Sequence, residues 1–375
     1  MNADVTAMKA LVQAISDPAQ AGHLSAQNWT DLYREARTTG LLGRLAHRMG
    51  QLPDHEQNCP LALKAHFEAA IRLSIAQSRE VLREARYIDH ALSGLGAPVV
   101  LLKGAAYAVA GLPPAQGRVF SDVDIMVPKS HLAQAESHLT MNGWMTTETS
   151  VYNQRYYRQW MHELPPMQHV HRSTVLDVHH AILPQTARLR PPAALLFGSA
   201  VPIAGTQTLH VLAPADMVLH SLTHLFVNDD MTNAWRDLSD LDLLVRYFGE
   251  QPTFWQTLVP RSRQLDLHRP LFYALTQLRR VWRTPIPGPV WEEAQADGPR
   301  GLSGPVMRAV WDRVFDTDHV ESAQAGRAIA LAALYLRGHW LRMPVPLLAR
   351  HLTVKALGLH EPAQKKPAAP PTPTG

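Results

Sequence analysis

The pattern of apolar residues changes period near Ala97, and that change constrains the fold more than any other feature of the chain. Val99-Val-Leu-Leu102 is a short continuous apolar run, which predicts a buried strand. Lys103-Gly104 ends it, and a small-residue helix is expected over Ala105–Ala110. Further on, Val123, Ile125 and Val127 alternate with Asp122, Asp124 and Met126, which predicts a half-buried strand with an acidic face.

The sequence on either side is helical. Asn28 is a candidate N-cap for a helix through Leu32, Ala36, Leu41, Leu42 and Leu45. After a polar break at Asp54–Pro60, a long helix is expected from about Pro60 to Leu95. Phe67, Ile71, Ile75, Leu82, Ala85, Ile88 and Leu92 form its apolar stripe, and Gly94 and Gly96 stop it. Within the central zone, Lys129–Met141 reads as a helix stopped by Asn142-Gly143, and Trp144–Thr149 as a strand. Met167–His171 and Val175–His179 read as a hairpin around Arg172–Thr174. Pro214 opens another helix. The expected fold class is α+β, a small mixed sheet flanked by helical regions. The expected units are a helical region at 1–96, a core at 97–212, a helical domain at 213–358 and a disordered Pro-rich tail at 359–375.

Composition narrows the setting. A chain of 375 residues with 46% hydrophobic and 18% charged residues can bury sizeable cores without staples. Its one cysteine, Cys59, cannot form an internal disulfide, which predicts a reducing compartment. The N-terminus lacks a basic segment leading into an apolar run, so no signal peptide is expected. The longest apolar stretches, Ala97–Leu102 and Ala328–Leu336, are far short of the ~20 residues of a membrane span, so the cytoplasm is expected and no membrane partner. Net charge is +4. Arg261, Arg263, Arg269, Arg279, Arg280 and Arg283, opposed only by Asp266, form a basic stretch. It reads either as a phosphate-attracting surface or as a solvated helix face.

Side chains two apart on a strand share a face, so Asp122 and Asp124 are expected to project together. Two carboxylates about 4 Å apart repel by roughly 4 kcal/mol at an effective dielectric of 20. A cation between them removes that cost, and oxygen-only donors suit Mg²⁺ or Mn²⁺. Asp177 in Val175-Leu-Asp-Val-His179 is the candidate third carboxylate. If its strand pairs beside Asp124, three acids converge and two ions can clamp an in-line phosphoryl displacement. A surface aspartate on a hairpin is the plainer alternative. Lys103 and Gly104, between a strand and a helix start, suit phosphate by charge and by close backbone approach. Arg118 reads either as a phosphate contact or as the partner of Asp122. Ser121 has no neighbouring histidine in an activating motif and is not a nucleophile.

The ordered set Leu102-Lys-Gly-Ala105, Arg118-x-x-Ser-Asp-x-Asp-Ile125, Asp177-Val-His179 and His220-x-x-x-His224 resembles a bacterial family of uncharacterised nucleotidyltransferases in the DNA polymerase beta-like superfamily. The resemblance spans roughly residues 25–250. It implies a small mixed sheet backed by helices and metal roles for Asp122, Asp124 and Asp177. Gly104 takes the place of the phosphate-loop glycine, with Lys103, Arg118 and Ser121 beside it on the nucleotide side. It further implies an NTP substrate, Mg²⁺ or Mn²⁺ as cofactor, and an acceptor hydroxyl on a small molecule, protein or RNA. One departure stands out: Lys103-Gly104-Ala105 replaces the Gly-Ser of the wider superfamily, and no serine hydroxyl is present there.

Two other functions are consistent with the residues. One is a non-catalytic nucleotide-binding or assembly module that keeps the fold. The other is a histidine-based phosphohydrolase, which needs His220 and His224 gathered with the aspartates. His220 and His224 share a helix face, where a packed, hydrogen-bonded role is the simpler reading. Asp237, Asp240 and Asp242 read as a polar face with caps or ion pairs.

Overall fold

The computed structural model describes residues 6–53, 59–148, 150–318 and 324–344. The Pro-rich tail and the polar break at 54–58 lie outside these residues. The N-terminal part holds α1 (Ala7–Ser16), α2 (Ala26–Thr38), α3 (Leu42–Met49) and α4 (Leu61–Ala91). The central part runs β1 (Val99–Leu102), α5 (Lys103–Val109), β2 (Val123–Met126), α6 (Leu132–Met141), β3 (Trp144–Thr146), α7 (Val151–Trp160), β4 (Met167–His169), β5 (Val175–His179), α8 (Ala193–Ser199), β6 (Val201–Pro202) and β7 (Leu209–Val211). Helices follow: α9 (Pro214–Val227), α10 (Ala234–Gly249), α11 (Pro252–Gln264), α12 (His268–Gln277), α13 (Gly288–Ala296), α14 (Ser303–Val314) and α15 (Gln324–Arg342).

The seven strands form one mixed sheet in the order β3-β4-β5-β2-β1-β7-β6. β1 is an interior strand and pairs antiparallel with β2 and parallel with β7. β2 pairs parallel with β5. Leu101, Ile125 and Val178 are Cα partners on three adjacent strands and are fully buried. This apolar row fixes the register, because a slip of one residue would turn every side chain to the opposite face. β2 differs from the expected half-buried strand. All four of its residues are buried, since a central strand is covered on both faces.

The helices refine the sequence reading. The first amphipathic segment is two helices, because the chain turns at Gly40 with φ 71°. Its cap is Ser25, whose Oγ accepts from the N–H of Asn28, and not Asn28 itself. The buried face of α4 keeps Phe67, Ala85 and Ile88 but passes through Ser74, Val81, Glu84 and Asp89, while Ile75 is 47% exposed. The buried acids on this face have partners. Asp89 accepts from the N–H groups of Gln207 and Thr208, and Glu84 takes a two-pronged bond from Arg172 at 2.7 and 2.9 Å. Four arginines of the basic stretch are also paired. Arg261 meets Asp216 at 2.6 Å, Arg263 meets Glu293 and Asp297, Arg280 meets Asp312, and Arg279 lies over the Trp291 ring. No helix among the described residues is long and apolar enough to cross a membrane.

Candidate active site

The site lies where β2, β5 and the end of β1 meet. Asp124 and Asp177 are Cα partners across the parallel β2–β5 pair, so their side chains leave the same face of the sheet. Asp122 directly precedes β2, is half-buried, and accepts a 2.8 Å bond from Ser121 Oγ. Lys103 stands at the junction of β1 and α5 with φ 44°, a left-handed conformation that costs a long side chain energy and collects at functional sites. Its Nζ donates to Asp124 Oδ1 at 3.0 Å. His179, two residues beyond Asp177 on the same face, places Nε2 3.0 Å from the same oxygen. Its other nitrogen, Nδ1, lies 3.1 Å from Glu163 Oε2.

Burial and these neighbours set the charges. Burial works against ionised Asp124, but Lys103 and His179 outweigh it and hold its carboxyl well below the usual range. Asp177 goes the other way. Burial first and the Asp124 charge second push it up to about 7, with Glu163 and Asp122 adding and His179 opposing. Burial disfavours the Lys103 ammonium, yet Asp124, then Asp122 and Asp177, raise its pKa. The same contest raises His179 against burial, through its bond to Asp124 and the charge of Glu163. His220 on α9 is held well below its ordinary value by burial, then by Lys103 and His224.

The remaining sequence-predicted residues fall elsewhere around this cluster. Arg118 is buried and donates through Nε to Asp240 Oδ2 at 3.0 Å, so its acidic partner is Asp240 and not Asp122. Asp240 Oδ1 accepts from Arg44 at 2.7 Å, which completes a buried Arg–Asp–Arg group. Gly104 backs onto that group: a Cβ there would stand 2.5 Å from Arg118 Nη1 and 3.0 Å from the Phe120 ring. Asp242 pairs with Arg246 and accepts from Thr284, and Asp237 pairs with Arg236 and His224. These three acids therefore serve ion pairs and bonds, as the polar-face reading expects. Consecutive residues line two clefts. Phe120–Val123 border one of about 200 Å³ with Glu80, Glu84 and Arg172. Val119 borders another of about 610 Å³ with Tyr33, Arg37, His66 and Arg236.

Among the described residues, one group of three has metal-ligating atoms all within 4.8 Å of one another: His162, Glu163 and His179. Asp122, Asp124 and Asp177 are spread more widely than that, and His220 and His224 lie outside the group. Sequence reasoning did not single out Glu163 or His162. Their signal was the His-Glu pair ahead of Leu164-Pro165-Pro166, a stretch with no periodicity to place it beside β5.

The model of a family described as uncharacterised nucleotidyltransferase matches residues 25–283, and the chain belongs to that family. The matched range contains every residue of the cluster. No curated protein matches the chain.

Proposed function

We propose that the protein is a metal-dependent nucleotidyltransferase of the DNA polymerase beta-like kind. It transfers a nucleoside monophosphate from an NTP to an acceptor hydroxyl of a small molecule, protein or RNA and releases pyrophosphate. Its catalytic core lies within residues 97–212, between the helical parts that precede and follow it. The observation that carries this reading is the register Asp124↔Asp177 with Asp122 one step ahead of the strand. The donor set fits a hard divalent cation, since it is all oxygen and Asp177 is pushed up to about 7 by burial and by the charge of Asp124 beside it. Asp122, Asp124 and Asp177 would hold Mg²⁺ or Mn²⁺, which would neutralise phosphate charge.

The chain's own residues do the rest. Lys103, released from Asp124, meets a phosphate oxygen. Gly104 and Ser121 border the nucleotide, with Arg118 held behind Gly104 by Asp240. The acceptor oxygen attacks the α-phosphorus, forming the new P–O bond as the α–β bridge bond breaks and pyrophosphate leaves. The acceptor's proton passes to the Asp177 carboxylate, which acts as the general base. Label transfer from [α-³²P]NTPs to components of a cell extract, with and without Mg²⁺, tests this. Mg²⁺-dependent labelling with pyrophosphate release is expected, and its absence with all four nucleotides contradicts the reading.

A second reading, a nucleotide-binding or assembly module without catalysis, has an observation in its favour. Lys103 and His179 already neutralise Asp124, and no serine hydroxyl follows Gly104. Under it, Asp122→Asn leaves cellular function intact and changes only stability.

A further inference from the structure

His162, Glu163 and His179 are carried on two stretches that hydrogen-bond to each other. Glu163 forms an antiparallel bridge with His179. Bonds of 2.8 Å from His180 N to His162 O and from Leu164 N to Val178 O flank that bridge. The three donors are thus fixed by backbone pairing, a rigid base that metal sites require. The His162 and His179 rings lie 5.2 Å apart and tilted by 34°. His162 Nδ1 is buried and, among the described residues, has no hydrogen-bond partner. A buried ring nitrogen without a partner calls for an explanation, and an ion is one.

His179 links this group to Asp124. Nε2 donates to Asp124 Oδ1 at 3.0 Å, and an ion that replaces the Nδ1 proton would stand between that nitrogen and Glu163 Oε2, which lie 3.1 Å apart. The bond from Nε2 is how a carboxylate orients a metal-binding imidazole and strengthens it as a ligand. We propose that His162, Glu163 and His179 bind a borderline divalent transition metal of the zinc class, with Asp124 as the positioning residue that holds His179 in its ligating tautomer. Two imidazoles and one carboxylate suit such an ion, whereas an all-oxygen set suits Mg²⁺. Three protein donors leave a fourth position for water or a substrate atom. None of these donors belongs to the carboxylate set proposed for nucleotidyl transfer; Asp124 is common to both, so Glu163 and His162 on one side and Asp122 and Asp177 on the other tell the two proposals apart.

The test uses the full chain, stripped with chelator and dialysed against Zn²⁺, with metal measured by mass spectrometry. Visible absorption of bound Co²⁺ gives a second readout of nitrogen-containing, low-coordinate geometry. One tightly held equivalent is expected in the native protein. Glu163→Gln and His162→Ala should each weaken Zn²⁺ binding by at least ~100-fold and abolish the Co²⁺ bands, with circular dichroism unchanged. Glu163→Gln keeps the side-chain volume, so it stays informative if His162→Ala fails to fold. Asp122→Asn and Asp177→Asn should leave Zn²⁺ binding intact. Absence of tightly held Zn²⁺ in the native chain, or binding unaffected by Glu163→Gln, overturns the proposal. So does loss of Zn²⁺ in the two aspartate variants with retention in Glu163→Gln, an outcome that would place the ion on the carboxylates and spare the nucleotidyl-transfer reading.

Discussion

Two buried aspartates in this molecule each face two cationic groups, yet they are set up differently. Asp240 divides its oxygens, one to Arg44 and one to Arg118, and Arg44 also reaches Ser239 and the Pro114 carbonyl. Asp124 takes both Lys103 and His179 on one oxygen, and a second carboxylate, Asp177, sits beside it in register. Around Asp240 the charges are shared out among fixed guanidinium groups, and the group ties α3, the 113–118 loop and α10 together. Around Asp124 an acid is left whose pKa rises to about 7. The first arrangement is finished without a ligand, and the second is poised to trade a proton for a cation.

This contrast can be broken by substitution. Asp240→Ala leaves two buried guanidinium groups without a counter-charge and should cost about 3–5 kcal/mol of stability, read by urea unfolding. A loss under about 1 kcal/mol would mean that water or nearby Asp237 takes over. Asp177→Asn should do the reverse, cutting label transfer by at least ~100-fold while the metal-free melting temperature holds or rises. A marked fall in melting temperature would make Asp177 a structural residue. Gly104→Ala sharpens the link between the two regions. The added methyl meets Arg118 Nη1 and the Phe120 ring, so a destabilisation of about 1–3 kcal/mol is expected.

The smallest effect is a pH dependence. Asp177 has a folded pKa above its ordinary value, so the folded chain keeps a proton that the unfolded chain has released. That contribution is present at low pH and is lost as pH rises through about 7. His179, also raised, has the same sign: its contribution is present below its ordinary range and lost as pH rises through its folded value. The metal-free protein should therefore melt several degrees lower at pH 8 than at pH 6, and Asp177→Asn should shrink that difference. Calorimetric scans at the two pH values check it, and an equal slope in both proteins removes Asp177 as its source.

Much of the sheet was legible in the sequence, because period and apolar runs are local. β1, the hairpin of β4 and β5, and the helix after Pro214 follow directly from them. The pairing of Asp124 with Asp177 was legible only as a condition, since local pattern does not choose a strand's neighbour. β6 and β7 passed unread: they are two and three residues long, too short to show a period. Long-range polar pairs left no trace either. Arg118 finds Asp240 across 122 positions, and Arg172 finds Glu84 across 88. A charge on an otherwise apolar helix face, such as Glu84 or Asp89, was the available sign that such a partner exists.

The most direct test of the central claim is NTP affinity measured against Mg²⁺ at pH 6 and pH 8. If Asp177 must shed its proton to share a cation with Asp124, the Mg²⁺-dependent part of the affinity should grow about tenfold between those values in the native protein and vanish in Asp177→Asn. A flat profile, or an undiminished Mg²⁺ effect in Asp177→Asn, would contradict it.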